Sequence, residues 1–413
     1  MRIVVAKKNG EFFDFPLYPA GRTGNFFTPI NEEELIKLPS GAGLVLIPDS
    51  FALGFDRKGN LVKTKYQAVA ALLPQGYTRL FLPAYLKKNE KILPLFGYTA
   101  VVARRGELYV AAQKTDSPES WSPENYNLPE LRDKISEAKK AFPENRLLNH
   151  LENCAINYQC FTAQNLFYRR WESGIPVSPA CNARCLGCIS LQPADCCPSP
   201  QERIKFVPTT EEVAALIRFH LEGAGPEGIV SFGQGCEGEP SLQAQVIAGA
   251  IRQVRQDFSR GTININTNGG NFEGLKEIID AGVDSLRVSM ISAREEVYDS
   301  YYQPVNYHLA DVKKTIKYAK EKGKFVSLNY LVFPGLTDTE PEYQALSSFI
   351  RECRPDMVQF RNLNIDPDYL KTKINFPPEP LGLNNLILRL KTNFPGLILG
   401  NYSRPLTNKG SYS

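Results

Sequence analysis

Apolar and polar residues change their rhythm twice along the chain. Over the first 120 residues, short apolar runs at 43–47, 78–82, 99–102 and 107–111 alternate with turn signals, and long helical periodicity is missing. Asp56-Arg-Lys-Gly-Asn60 and Arg104-Arg-Gly106 read as hairpin loops between such runs. Residues 1–120 are therefore expected to form a β-rich N-terminal domain. From residue 121, Ser, Pro, Asn and Glu punctuation marks a linker. Helical spacing then runs through Leu131, Ile135 and Ala138, again over 147–154, and from Gln164 to Trp171. This predicts a linker and helical connector over 121–172.

After residue 173 the pattern becomes a regular alternation of strand and helix. Strands are predicted at 229–232, 262–267, 286–290, 325–333 and 357–361, and the apolar segment 175–178 makes a sixth. Helices fall between them. One carries Leu242, Val246, Ile247, Ala250, Ile251 and Val254, one spans 272–281 and closes at Gly282, and one runs through Val312, Ile316 and Ala319 to Gly323. Another is predicted at 340–352. The first helix of the series has a clear start, because Thr209-Thr-Glu-Glu212 can form a capping box ahead of Val213, Leu216 and Ile217. Strands separated by helices imply parallel βαβ units with right-handed crossovers. Six such strands predict an α/β fold, a partial (β/α)6 TIM-like barrel over 173–400, followed by a C-terminal tail at 401–413.

Period two adds a chemical detail. It places Asn264, Asn266 and Asn268 on one strand face, and likewise groups Arg287 with Ser289, Ser327 with Asn329, and Gln359 with Arg361. A parallel sheet covered by helices is normally apolar on both faces. A polar face on four strands points to an interior lined for a polar ligand, with a hydrogen-bonded polar core as the alternative.

Composition narrows the class. The chain has 413 residues, a net charge of +4 and 22% charged residues, which is a weak balance for a nucleic-acid binder. No apolar run is long enough to span a membrane, and the opening MRIVVAKKNGEFFDF reads as a strand rather than a signal peptide. Nine cysteines, three of them bunched, suit a reducing cytoplasm better than a disulfide framework.

The bunched cysteines carry the chemistry. Pro179-Ala180-Cys181-Asn182-Ala183-Arg184-Cys185-Leu186-Gly187-Cys188 spaces three thiols as C-x3-C-x2-C. Three thiolates on one tight loop can hold three irons of a cubic [4Fe–4S] cluster, leaving the fourth iron open. The spacing differs from the C-x2-C pairs of structural zinc sites and from the four-cysteine runs of ferredoxins. A second stretch, Phe232-Gly-Gln-Gly-Cys-Glu-Gly-Glu-Pro240, follows the 229–232 strand, at the end where parallel folds bind ligands.

The cysteine spacing resembles the signature loop of radical S-adenosylmethionine (radical SAM) enzymes. The residue before the third cysteine is often aromatic in that superfamily and is Gly187 here. Gly238, Glu239 and Pro240 resemble its Gly-Gly-Glu-Pro motif, with Glu237 in place of the first glycine. The resemblance implies a six-stranded partial barrel, Cys181, Cys185 and Cys188 as cluster ligands, and SAM bound through Gly238, Glu239, Asn268 and Ser289. Arg287 is a candidate partner for the SAM carboxylate. It further implies reductive cleavage of SAM to a 5′-deoxyadenosyl radical that abstracts hydrogen from a substrate, with electrons from a flavodoxin- or ferredoxin-type donor. Val332-Phe-Pro-Gly335 resembles the adenine-contacting region, and Arg361-Asn-Leu-Asn-Ile-Asp366 is a candidate substrate contact. The substrate itself is expected to be a protein or peptide, or a small metabolite, with nucleic acid disfavoured. From another class, the chain could be a non-catalytic iron–sulfur or zinc-binding scaffold.

Six cysteines lie outside the loop. His150 and Cys154 fall on one face of a predicted helix, and Cys154, Cys160, Cys196, Cys197 and Cys236 are candidates for an auxiliary cluster, although no second C-x2-C run exists. Cys353 is expected to be a packing residue. Tyr298, Tyr301 and Tyr302 are expected to pack a loop after the fourth strand rather than relay radicals.

Overall fold

The computed structural model describes residues 1–93, 95–117, 119–191, 200–377 and 379–406. Cys196 and Cys197, and the tail beyond 406, lie outside the described residues. The chain divides into two compact units, one of residues 1–123, 330–348 and 360–401, the other of 124–329, 349–359 and 402–413.

The first unit is β-rich, as its alternating pattern predicts. One sheet runs Tyr77–Arg79, Glu107–Lys114, Tyr98–Arg104, Arg2–Ala6, Gln67–Leu72, Gly43–Leu46, and a second runs Leu82–Pro83, Tyr18–Thr23, Ser50–Phe55, Tyr85–Lys87. Alternate residues of the first sheet meet on one face, where Val4 and Ala6, Val69 and Ala71, and Val110 and Ala112 share one apolar cluster, while Val5, Ala70 and Ala111 between them are buried on the other. Both expected hairpins form. Arg105 and Gly106 take the left-handed conformation that a two-residue hairpin turn requires, and Asp56 accepts hydrogen bonds from the Lys58 and Asn60 amides.

The second unit opens with the helical connector, as Leu131–Ala141, Leu147–Ile156 and Phe161–Tyr168. The following sheet takes its strands in chain order: Glu172–Gly174, Ile229–Phe232, Thr262–Thr267, Ser285–Met290, and then the parts of Phe325–Val332 and Met357–Asn362 that fall in this unit, 325–329 and 357–359. The first four pair in parallel, with Ser231 opposite Asn264 and Asn266 opposite Arg287. Helices Thr210–Ala224, Ala244–Arg255, Phe272–Ala281 and Leu309–Glu321 connect them, each burying its apolar stripe. This is the partial α/β barrel that the pattern predicts.

Thr209 and Glu212 form the expected capping box, and Glu212 also receives the Arg146 guanidinium at 2.7 Å. That side chain holds the Glu212 carboxyl down at about 2, so its contribution to stability is present at neutral pH and is lost as pH falls toward 2. Replacing Thr209 by alanine removes the cap to the Glu212 amide. It will cost about 1 kcal/mol, read as a lower urea midpoint with an unchanged slope.

Three elements differ from expectation. The first strand is Glu172–Gly174, a few residues earlier than 175–178. The Ile175 amide still bonds to the Ser231 carbonyl, but Pro176 has no N–H to continue the ladder. A seventh strand, Ile398–Gly400, follows the six anticipated. Tyr298, Tyr301 and Tyr302 lie in a helix, Glu295–Tyr302, rather than in a loop; all three are buried, as packing residues are.

Candidate functional site

The cysteine loop is held by backbone before any ligand is considered. The Arg184 and Leu186 amides donate to the Tyr302 and Tyr301 carbonyls at 2.9 and 3.0 Å, and the Val305 amide donates to the Asn182 carbonyl at 2.8 Å. The last turn of Glu295–Tyr302 thus gives its unpaired carbonyls to the loop. Tyr298, Tyr301 and Tyr302 pack ring on ring beneath it, with centroids 4.6 and 4.9 Å apart. Within the loop, the Cys188 amide bonds the Cys185 carbonyl at 3.2 Å, and Arg203 Nη2 lies 3.7 Å from Cys188 Sγ.

The glycine-rich loop is zipped to the segment that enters the cysteine loop. The Gly238 amide donates to the Ser178 carbonyl at 2.7 Å and the Glu239 amide to the Ala180 carbonyl at 2.8 Å. The approach leaves no room for a side chain at 238, where a Cβ would stand 1.9 Å from the Ala180 carbonyl oxygen. Glu237, which departs from the glycine of the resembled motif, is the clasp. Its Oε2 accepts from the Val177 and Ser178 amides at 2.8 and 3.1 Å, and its Oε1 from the Gly233 and Gln234 amides at 2.5 and 3.3 Å. Burial pushes its carboxyl up to about 8, against the four N–H donors that favour the anion. Glu237→Gln turns an NH2 toward one pair of those amides. We expect a loss of about 2–4 kcal/mol by urea unfolding, because two buried donors lose their acceptor.

Glu239 is buried and fully oriented. Thr267 Oγ1 donates to its Oε1 at 2.6 Å, the Ser241 amide to Oε1 at 3.1 Å, and the Asn268 amide to Oε2 at 2.9 Å. Burial raises its pKa and those three donors oppose the rise. Asn268 in turn reaches the cysteine loop, its Nδ2 donating to Asn182 Oδ1 at 2.7 Å. Hydrogen bonds therefore link Asn182, Asn268 and Glu239, and Gly238 lies against the Ala180–Cys181 backbone. Arg287 is placed differently: its guanidinium donates to Ser403 Oγ at 3.0 Å and stands 3.9 Å from Glu172. Ser289 sits one residue pair further along the same strand face, half-buried.

That face is the polar interior expected from period two, and it has two layers. In the lower one, Asn264 Nδ2 donates to Ser231 Oγ, Ser231 Oγ to Glu172, and Ser285 Oγ to Asn264 Oδ1. The next positions leave polar atoms without a protein partner: Asn266 Nδ2, Arg287 Nε, Asn329 Oδ1 and Gln359 Oε1. Buried polar atoms are normally satisfied, so orphans on four neighbouring strands mark a surface built for a polar ligand. The lower layer is the hydrogen-bonded polar core weighed from sequence, and the next layer keeps polar atoms without a protein partner.

Other sequence candidates take structural roles within the first unit. Gly335, at a φ of 83°, approaches the Gly24 amide so closely that a Cβ would lie 2.1 Å from its nitrogen. Asn362 Oδ1 accepts the Arg79 amide at 3.0 Å, Leu363 accepts the Arg79 guanidinium, and Asp366 pairs with Lys87 at 2.7 Å. The 361–366 segment is thus engaged by its own unit. Sequence reasoning missed Glu237 as the clasp, and Asn182 and Arg203 as neighbours of the cysteines.

The thiols themselves fit a cationic cluster. Burial, followed by the Glu239 carboxylate, pushes Cys181 up to about 11, and Cys185 is driven further up by burial and then by the fields of Cys181 and Cys188. Cys181 and Cys185 are thus disfavoured as thiolates by the chain alone, and bound iron would supply the missing positive charge.

Residues 175–343 match the family model "Radical SAM superfamily". The chain is 26% identical over 212 residues to a probable dual-specificity RNA methyltransferase RlmN of Prochlorococcus marinus, a match covering 46% of this chain and 58% of that relative. Among solved structures, Streptococcus suis SuiB bound to S-adenosylmethionine is 14% identical with a TM-score of 0.40, covering 76% of this chain and 72% of SuiB. HydG, a maturase of the [FeFe]-hydrogenase, is 16% identical with a TM-score of 0.40, covering 66% of each chain. At that level of likeness the sheet order and the family match carry the fold. Members of the matched superfamily are enzymes that use a [4Fe–4S] cluster and SAM. Residues 175–343, somewhat less than half of the chain, carry the match to the radical SAM superfamily, and over that segment the chain is similar to its members.

Proposed function

We propose that the protein is a radical SAM enzyme in which Cys181, Cys185 and Cys188 ligate three irons of a [4Fe–4S] cluster. The observation that carries this reading is the C-x3-C-x2-C loop inside the matched segment, fastened edge to edge with Gly238 and Glu239. Glu239, oriented by three donors, keeps acceptor capacity for the SAM ammonium. Asn268 and Ser289 face the ribose and carboxylate, and the unpartnered Arg287 Nε and Asn266 Nδ2 supply donors for the carboxylate. When bound, the cluster and SAM together supply reductive SAM cleavage and hydrogen abstraction from the substrate. The chain's own residues bind, orient and exclude water.

The substrate we favour is a protein or peptide, with a small metabolite second. The first unit holds a polar cleft of about 720 Å³ lined by Arg22, Tyr85, Lys87, Asp368 and Lys371, which supports its reading as a recognition module. The RNA named for the Prochlorococcus relative fits less well with a net charge of +4. The reductant is of the flavodoxin or ferredoxin type.

The test is anaerobic. Protein reconstituted with iron and sulfide is mixed with SAM and dithionite, 5′-deoxyadenosine is quantified, and the reduced cluster is followed by EPR. Nucleoside release, with an EPR spectrum changed by SAM, is the expected result. Zinc in place of iron, or a loaded cluster whose spectrum ignores SAM, would establish the scaffold reading instead.

A further inference from the structure

A second group of ligand-type side chains lies outside the cysteine loop. His150 and Cys154 are one turn apart on Leu147–Ile156, and Cys236 comes from the glycine-rich loop. Their ligand atoms all lie within 4.8 Å of one another. His150 Nε2 is 3.6 Å from Cys154 Sγ. A tetrahedral zinc ion, with Zn–S of about 2.3 Å and Zn–N of about 2.0–2.1 Å, sets a sulfur-to-nitrogen edge of about 3.5 Å. The observed edge therefore matches two ligands of one ion. A cubane places its thiolates on separate irons and spreads them wider, so this geometry disfavours an auxiliary cluster.

We propose that His150, Cys154 and Cys236 form a mononuclear zinc site with its fourth position open to solvent. Two thiolates and an imidazole are the donor set that zinc selects. The two cysteines are buried and His150 is half-exposed, so the site has a dry floor and an opening for the ion. Cys236 is held in place through its carbonyl, which accepts the Ile204 amide at 2.8 Å. A metal here pins the helix to the loop one residue before Glu237, the clasp of the cysteine loop. Its role is that of a staple.

This proposal is independent of the radical chemistry, and its test avoids that chemistry. Full-length chain carrying Cys181→Ala, Cys185→Ala and Cys188→Ala is purified with zinc present, desalted, and assayed for metal and by zinc X-ray absorption. We expect one zinc per chain with two sulfurs and an imidazole in its first shell, and a lower melting temperature after chelation. Adding Cys154→Ser or, separately, His150→Ala will lower zinc occupancy by more than about tenfold. A zinc-free triple variant overturns the proposal, as does a shell of oxygen and nitrogen only. Peptide mass analysis showing a Cys154–Cys236 disulfide in protein kept under reductant overturns it too.

Discussion

Cys185→Ala will reduce 5′-deoxyadenosine formation to below about a hundredth of the parent chain's, with iron content falling in parallel. Burial and then the fields of Cys181 and Cys188 oppose ionisation of Cys185, an opposition that cationic iron would relieve. On the proposed assignment, its removal takes away one of three ligands and leaves two that would not retain a cube. The loop itself will survive, because Arg184 and Leu186 are tied to the Tyr302 and Tyr301 carbonyls through backbone. The two measurements therefore separate: circular dichroism and the urea midpoint stay near those of the apo parent, while iron and nucleoside disappear. Full iron loading with undiminished product would sink the assignment of this loop.

Gly238→Ala is expected to be as damaging by a different route. The added methyl group would stand 1.9 Å from the Ala180 oxygen and 2.5 Å from its carbonyl carbon, and both are main chain that no rotamer change can clear. Overpacking against yielding side chains costs about 1–3 kcal/mol; here the cost lies at or above the top of that range. Relief requires breaking the Gly238-to-Ser178 and Glu239-to-Ala180 hydrogen bonds, which separates the glycine loop from the cysteine loop. A urea midpoint lowered by that amount and a loss of SAM-dependent EPR change are the expected readings. A variant of parental stability that still responds to SAM would show that the close approach is dispensable.

Much of this site was legible in the sequence because it rests on side chains at fixed periods. Three thiols at C-x3-C-x2-C, asparagines at 264, 266 and 268, and a Thr-to-Glu capping box each announce their geometry before folding. What stayed hidden works through main chain. The helix Glu295–Tyr302 supports the cysteine loop with carbonyls, which no residue type reveals, and its eight residues are too few and too aromatic to stand out as helical. Glu237 and Glu239 are indistinguishable as letters. Only the fold shows that one carboxylate is committed to four backbone amides and the other to three donors that leave acceptor capacity. The strand Ile398–Gly400 is three residues long, shorter than any alternation can mark.

The cysteine loop's anchorage bears on how the protein meets its metal. In small zinc domains the ion organises the chain, and the free energy of binding is spent on folding. Here the amides of Arg184, Leu186, Gly238 and Glu239 find their acceptors within the polypeptide alone. On the proposed assignment, iron and sulfide would enter a receptacle that the polypeptide already shapes, and emptying it would leave these main-chain bonds in place. The apo chain is then expected to keep its fold and to take up a cluster again when iron and sulfide are supplied.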